Sequence, residues 1–268
     1  MCELLAMSSR LPARLTLSLD AFASHGGHAG PHRDGWGIAF LHDNDVQLVR
    51  EARASSDSAQ LAFLRGHDLR STQVLAHLRL ATRGERSLRN TQPFLRELGG
   101  RVHLFAHNGD LADLAPPPAG ARFRALGDTD SEFAFCRLLE RLAPLWDAPA
   151  LPPLEARLAA VAAFAADLRP RGPANFVYAD GLTLFAHGHR RTQADGAIRP
   201  PGLHLLQRHC TAGSAPPEID GVALERPDAP QDVALVTSVP LSDEAWRPLD
   251  AGEVVALEHG AVAERVAA

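Results

Sequence analysis

The sequence predicts an α+β layered sandwich. Two well-patterned helical segments, 128–142 and 154–168, stand among roughly ten short strand-like runs. The chain has 268 residues, 46% of them hydrophobic and 22% charged, which is enough to bury a sizeable core unaided. The Pro-rich stretches at 116–118 and 147–153 read as surface connections and separate nothing that resembles an independent unit. Residues 1–268 therefore read as one domain.

Taken in order, residues 2–7 form a short apolar run, a strand that would bury the start of the chain. Residues 16–24 carry a helical pattern with Leu17, Ala21 and Phe22 on one side. A glycine-rich loop follows, from His25 to Asp34. Segments 35–42 and 46–51 read as a hairpin turned by Asp43-Asn44-Asp45. Residues 57–65 look helical, and 73–79 and 102–107 look like buried strands. The 128–142 helix has Ser131 and Glu132 in its first turn and Phe135, Leu138, Leu139 and Leu142 on its apolar face. The 154–168 helix is bracketed by Pro152-Pro153 and Pro170. The remaining segment is β-rich, with strands expected at 175–178, 183–186, 203–206, 233–237 and 254–258.

Composition excludes several chemistries. All 27 basic residues are arginines, so Schiff-base chemistry and a P-loop lysine are ruled out. A net charge of −5 without a basic stripe argues against nucleic acid as a partner. No apolar run of 18 or more residues occurs, so no membrane-spanning helix is expected. Glu3 and the lack of a basic leader argue against a signal peptide, which gives a cytoplasmic expectation. Cys2, Cys136 and Cys210 make neither a disulfide framework nor a CxxC zinc pair. No metal or other cofactor is expected.

Cys2 is the most informative residue. Removal of Met1 would leave a cysteine bearing a free α-amine, whose ordinary pKa of about 7.7–8.0 makes it a usable base at neutral pH. The plainer reading is a small buried hydrophobe. Arg79 closes an apolar strand and offers a planar fork suited to a carboxylate, or else a surface ion pair. Asn108-Gly109 also ends a strand. It is a turn signal first, but an Asn amide beside a Gly N–H is able to form an oxyanion hole. The segment from Asp128 to Glu132 opens a helix, either capping it or aiming one carboxylate at a ligand's ammonium group.

Cys2, His77-x-Arg79-x-Ala-Thr82, His107-Asn108-Gly109 and Asp128-Thr-Asp130-Ser-Glu132 occur in this order. Together they resemble the class II glutamine amidotransferases of the N-terminal-nucleophile hydrolase superfamily. The opening Met-Cys-Glu-Leu-Leu-Ala-Met-Ser and the segment from Gly30 to Gly37 are similar to its stand-alone, YafJ-like branch. The resemblance implies a four-layer αββα sandwich. It implies Cys2 as nucleophile with its own amine as base, Asn108 and Gly109 as oxyanion donors, Arg79 and Thr82 on the substrate α-carboxylate, and Asp130 on its α-ammonium. It also implies glutamine or a γ-glutamyl compound as substrate, and a separate synthase subunit as a possible receiver of ammonia. The alternatives are an amidohydrolase acting on a larger γ-glutamyl metabolite and a catalytically silent glutamine-binding protein. Gln92 stands where the family commonly has His, and Val239 where some relatives carry Glu.

His25, His28 and His32 crowd the glycine-rich loop near Asp34. A shaping role beside the site suits them better than a metal site. Cys136 reads as core, Cys210 as exposed, and Arg190-Arg191 as solvated surface.

Overall fold

The computed structural model describes residues 1–15, 17–211, 222–223 and 229–268. Its strands are β1 (Glu3–Leu15), β2 (Gly35–His42), β3 (Asp45–Glu51), β4 (Ser71–Arg79), β5 (Phe94–Leu98), β6 (Arg101–Gly109), β7 (Ala174–Ala179) and β8 (Leu184–His187). They continue with β9 (Arg191–Thr192), β10 (Ile198–Arg199), β11 (His204–Cys210), β12 (Val222–Ala223), β13 (Gln231–Thr237), β14 (Arg247–Pro248), β15 (Glu253–Glu258) and β16 (Ala261–Ala267). The helices are α1 (Leu17–Ser24), α2 (Ala59–Gly66), α3 (Asp130–Trp146) and α4 (Leu154–Leu168).

One sheet runs β14-β11-β13-β1-β4-β2-β3, with β12 attached to β1. The second runs β16-β15-β8-β7-β6-β5. Every pairing among them is antiparallel.

Strand alternation sorts the apolar residues into three layers of core. Leu4, Ala6, Leu75, Leu104, Ala106 and Val177 pack between the two sheets. Their neighbours Leu5, Met7, Val74, Ala76 and Leu78 face the other way, onto Leu19 and Phe22 of α1 and Leu61 and Leu64 of α2. Phe105, Phe176 and Tyr178 of the second sheet face Phe135 and Leu139 of α3 and Val161 and Phe164 of α4. Three cores stacked between four layers make the αββα sandwich. The stacked Phe105–Phe135 pair, 5.3 Å between centroids, shows how closely α3 sits on β6.

Several boundaries differ from expectation. β1 runs on to Leu15 through a bulge between Ser8 and Ala13. The predicted helix at 16–24 is present as α1, with Thr16 outside the described residues. α3 starts two residues later than predicted. Asp128 is tied to Asn90, while Thr129 caps the helix by accepting from Glu132 N at 3.3 Å. It then continues past Pro144 to Trp146, whose ring packs edge-on against His103.

The β5–β6 hairpin was not anticipated, although Gly99 and Gly100 both have positive φ (63° and 73°) at its turn, the conformation that a two-residue hairpin demands. β16 was also missed, because most of its residues are exposed and carry no apolar alternation. No helix of the described residues is long and apolar enough to cross a membrane.

Candidate active site

The parity that builds the middle core also builds the site. Cys2 shares its face with Leu4 and Ala6, and Arg79 and His77 share theirs with Leu75. Asn108 shares its face with Leu104 and Ala106. β1 begins, and β4 and β6 end, at the same edge of the sandwich, so Cys2 and Arg79 of one sheet face Asn108 of the other where the apolar filling stops.

Cys2 is partly buried, and its sulfur lies against the backbone of the adjacent strand. Leu80 N is 3.4 Å from Sγ, and Sγ is 3.5 Å from Leu80 O. Burial pushes the thiol up, against the opposing pull of that backbone contact and of the positive charge of Arg79. The thiol is therefore protonated at neutral pH and needs a base to become a nucleophile.

Arg79 is 3% exposed at the end of β4. Its Nη1 donates to Glu85 O (3.0 Å) and its Nη2 to Arg83 O (2.9 Å) and Gly84 O (3.1 Å). Three of the five guanidinium N–H groups thus fix the fork, and the other two have no hydrogen bond among the described residues. Gly84 turns this loop with φ +70°, and a Cβ there would lie 2.6 Å from Asp128 Oδ1. Burial lowers Arg79 and burial likewise drives His77 down to about 3, so His77 is a neutral imidazole. Thr82 lies exposed in the same loop.

Asn108 is fully buried at the end of β6. Its backbone carbonyl accepts from Asn175 Nδ2 (3.0 Å), and the preceding N–H, that of His107, donates to Gln92 Oε1 (2.6 Å). Gln92, noted above as a departure, thus holds the strand beneath the site. The Asn108 amide nitrogen Nδ2 is 3.0 Å from Ser238 Oγ, which already accepts from Leu4 N at 3.0 Å, while Asn108 Oδ1 is buried without a partner. At Gly109 a Cβ would sit 1.8 Å from Pro173 O, so only glycine fits.

At the start of α3, Asp130 is buried. Its Oδ2 accepts from Leu111 N (2.7 Å) and its Oδ1 from Ser131 N (2.8 Å), which leaves lone pairs on both oxygens. Its negative charge acts on Cys2, as does the positive charge of Arg79. The other acids of this segment are engaged elsewhere: Asp128 with Asn90 (2.6 Å) and Glu132 with Arg96 (2.5 Å).

The glycine-rich loop closes over the N-terminal side. His25 Nδ1 lies 2.7 Å from Glu3 Oε2. Burial alone would raise Glu3, but the hydrogen bond and charge of His25 hold it below its ordinary value, and the same bond raises His25. His32, 4% exposed, places Nδ1 3.1 Å from His25 O and Nε2 2.7 Å from Met1 O. Asp34 Oδ2 accepts from Ala81 N at 2.8 Å and so ties the loop to the end of β4. His28 is exposed.

Arg191, expected on the solvated surface, is instead half-buried. Its Nη1 donates to Ser238 O (2.9 Å), and its charge reaches Glu3. Sequence reasoning missed Glu3, Asn175, Arg191 and the role of Ser238. The only signal for them is strand-end position, because each acts through pairing between distant segments.

The family model for class-II glutamine amidotransferases matches residues 1–268. The chain is 34% identical over 261 residues to the provisionally named glutamine amidotransferase YafJ of Escherichia coli, covering 94% of this chain and 96% of that protein. It is 31% identical to a similarly named protein of Haemophilus influenzae, covering 97% and 85%. A crystal structure of a predicted glutamine amidotransferase from Pseudomonas aeruginosa superposes with a TM-score of 0.70 at 34% identity, covering 98% of this chain and all of that one. A glutamine phosphoribosylpyrophosphate amidotransferase from B. subtilis shares the fold, with a TM-score of 0.56 at 14% identity over 49% of its length. This chain belongs to the class II glutamine amidotransferases.

Proposed function

We propose that Cys2, freed of Met1, hydrolyses the side-chain amide of glutamine through a γ-glutamyl thioester. The observation that carries this reading is the convergence of Cys2, Arg79 and Asn108 on one edge of the inter-sheet layer, with Asp130 close enough to act on the thiol. Arg79 and Asp130 supply opposite charges for the two ends of an amino-acid head group, which orients the side-chain amide toward sulfur. Thr82, exposed in the loop that follows β4, is assigned to the carboxylate end.

The thiol proton moves to the α-amine of Cys2, and the sulfur adds to the amide carbon. The carbonyl electron pair moves to oxygen, where the Asn108 amide and the Gly109 N–H hold it. For that role the Asn108 amide takes the orientation in which Ser238 Oγ–H donates to Oδ1 and Nδ2 faces the substrate. This orientation also gives the buried Oδ1 its partner and the Ser238 hydroxyl an acceptor. Collapse breaks the C–N bond as the amine returns the proton to nitrogen, which releases ammonia. Water then breaks the C–S bond and gives glutamate. Ammonia passes to an acceptor on a separate synthase subunit.

Intact-protein mass spectrometry, before and after incubation with 6-diazo-5-oxo-norleucine, tests this. Loss of Met1 and a single adduct mapped to Cys2 are expected. Retained Met1 with no adduct would overturn the mechanism.

A further inference from the structure

We propose that His32 is a positioning residue that holds the α-amine of Cys2 in the orientation needed to take the thiol proton. The inference rests on the reading of Cys2 as nucleophile, and it assigns a role to a side chain that the reaction above leaves unused.

His32 is buried in the glycine-rich loop, and each ring nitrogen faces a carbonyl oxygen: Nδ1 that of His25, at 3.1 Å, and Nε2 that of Met1, at 2.7 Å. Both ring nitrogens thus face acceptors, and the carboxylate of Glu3 lies 3.9 Å from Nε2. The Met1 oxygen is attached through one carbon to the nitrogen of Cys2. Standard peptide dimensions therefore place that nitrogen within about 5 Å of Nε2. When Met1 is removed, the acceptor goes and the Cys2 nitrogen, about 2 Å from where that oxygen lay, becomes an amine.

The bond to His25 O remains and keeps the hydrogen on Nδ1. Nε2 then presents a lone pair to the new terminus. By accepting one amine N–H, it turns the amine lone pair away from itself and toward Sγ, whose own position is fixed by Leu80. The loop is anchored for this task at two further points, His25 on Glu3 and Asp34 on Ala81. One histidine thus serves both forms of the chain, set against the Met1 carbonyl before processing and accepting from the amine after it.

The test compares wild type with His32→Leu, His32→Gln and His32→Asn for Met1 content by intact mass, and for kcat and KM of ammonia release from glutamine. Gln reaches the position of Nε2, whereas Asn reaches only that of Nδ1. The expected result is Met1 absent from all four proteins and KM within about twofold. In His32→Leu, kcat falls about 100-fold, the low end for loss of positioned proton transfer, with at least about tenfold of that recovered in His32→Gln but not in His32→Asn. If His32→Leu does not fold, the Gln and Asn pair carries the same contrast.

Wild-type kcat in a folded His32→Leu, equal kcat for Gln and Asn, or a loss confined to KM would overturn the assignment while leaving the glutaminase reading intact. Retention of Met1 in the variants alone would assign His32 to processing and overturn it too. A wild type without Met1 that neither releases ammonia nor accepts the diazo label would overturn both readings together.

Discussion

The two ends of the second sheet bury polar groups in opposite ways. At the end away from Cys2, Arg157 donates to Pro152 O, Asp180 Oδ2 and Thr183 Oγ1 at 2.7–3.1 Å, and Asp180 Oδ1 accepts from the Leu182 and Thr183 amides. Glu258 completes the group, accepting from Thr183 Oγ1. At the other end, Asn108 Oδ1 has no partner, and His77, which faces it from the first sheet, has no well-formed bond to either ring nitrogen. A buried polar group without a partner destabilises the fold by about 1–3 kcal/mol, so the Arg157 network stabilises the fold as it stands, whereas the open groups beside Cys2 are ones that a bound ligand would satisfy.

Each of the following changes tests that contrast. Arg157→Met, which keeps volume but strands Asp180, is expected to cost about 3–5 kcal/mol of stability, read as a lower thermal midpoint, with unchanged kcat in the folded fraction. An unchanged midpoint would remove the distinction between the two ends. Asn108→Ala should do the reverse, lowering kcat by about 10²–10³ with little change in midpoint. Steady-state ammonia release distinguishes the two, and a variant that unfolds without a selective loss of kcat would make Asn108 structural.

Ser238→Ala sharpens the comparison further, because it frees the Asn108 amide to turn over. Loss of one neutral hydrogen bond predicts a drop in kcat of about 3–10-fold at unchanged KM. Unchanged kcat would mean that Ser238 does not set the amide.

The smallest effect concerns Glu3 and His25. The raised His25 contributes stability that is present at low pH and lost as pH rises through its folded value. The lowered Glu3 contributes stability present at higher pH and lost as pH falls through its folded value. The pair therefore helps between those two points. Glu3→Gln should move the His25 NMR titration downward and lower the thermal midpoint chiefly inside that window. A His25 titration that does not move would show that Glu3 is not its partner.

How much of this was legible in the sequence depended on range. The α4 bounds and β2 were readable to the residue, because each carries its periodicity within a few turns or pleats. Cys2, Arg79 and Asn108 each had a plainer reading alone and were singled out only by the resemblance that their order along the chain carries; the structure brings them to one edge. Asp130 was one of three acids in a capping segment; the resemblance picked it out, and the bonding of Asp128 to Asn90 and Glu132 to Arg96 gives the physical reason that the residues alone did not. Arg191 and Ser238 were illegible, since what makes them matter is their approach to β1 from more than 180 residues away along the chain.

The contact of Cys2 Sγ with the Leu80 backbone has a chemical consequence of its own. A thioester on a terminal cysteine lies one short ring closure from its own amine, and S-to-N acyl migration would convert it into a stable amide and end turnover. Migration is blocked if the contact of Leu80 N with sulfur, the one that an acylated sulfur still accepts, holds the acyl carbon on the far side from that amine. The enzyme is therefore expected to survive many turnovers without self-acylation. A glutamyl mass on Cys2 that accumulates with turnover and resists hydroxylamine would show that the strand fails in this protection.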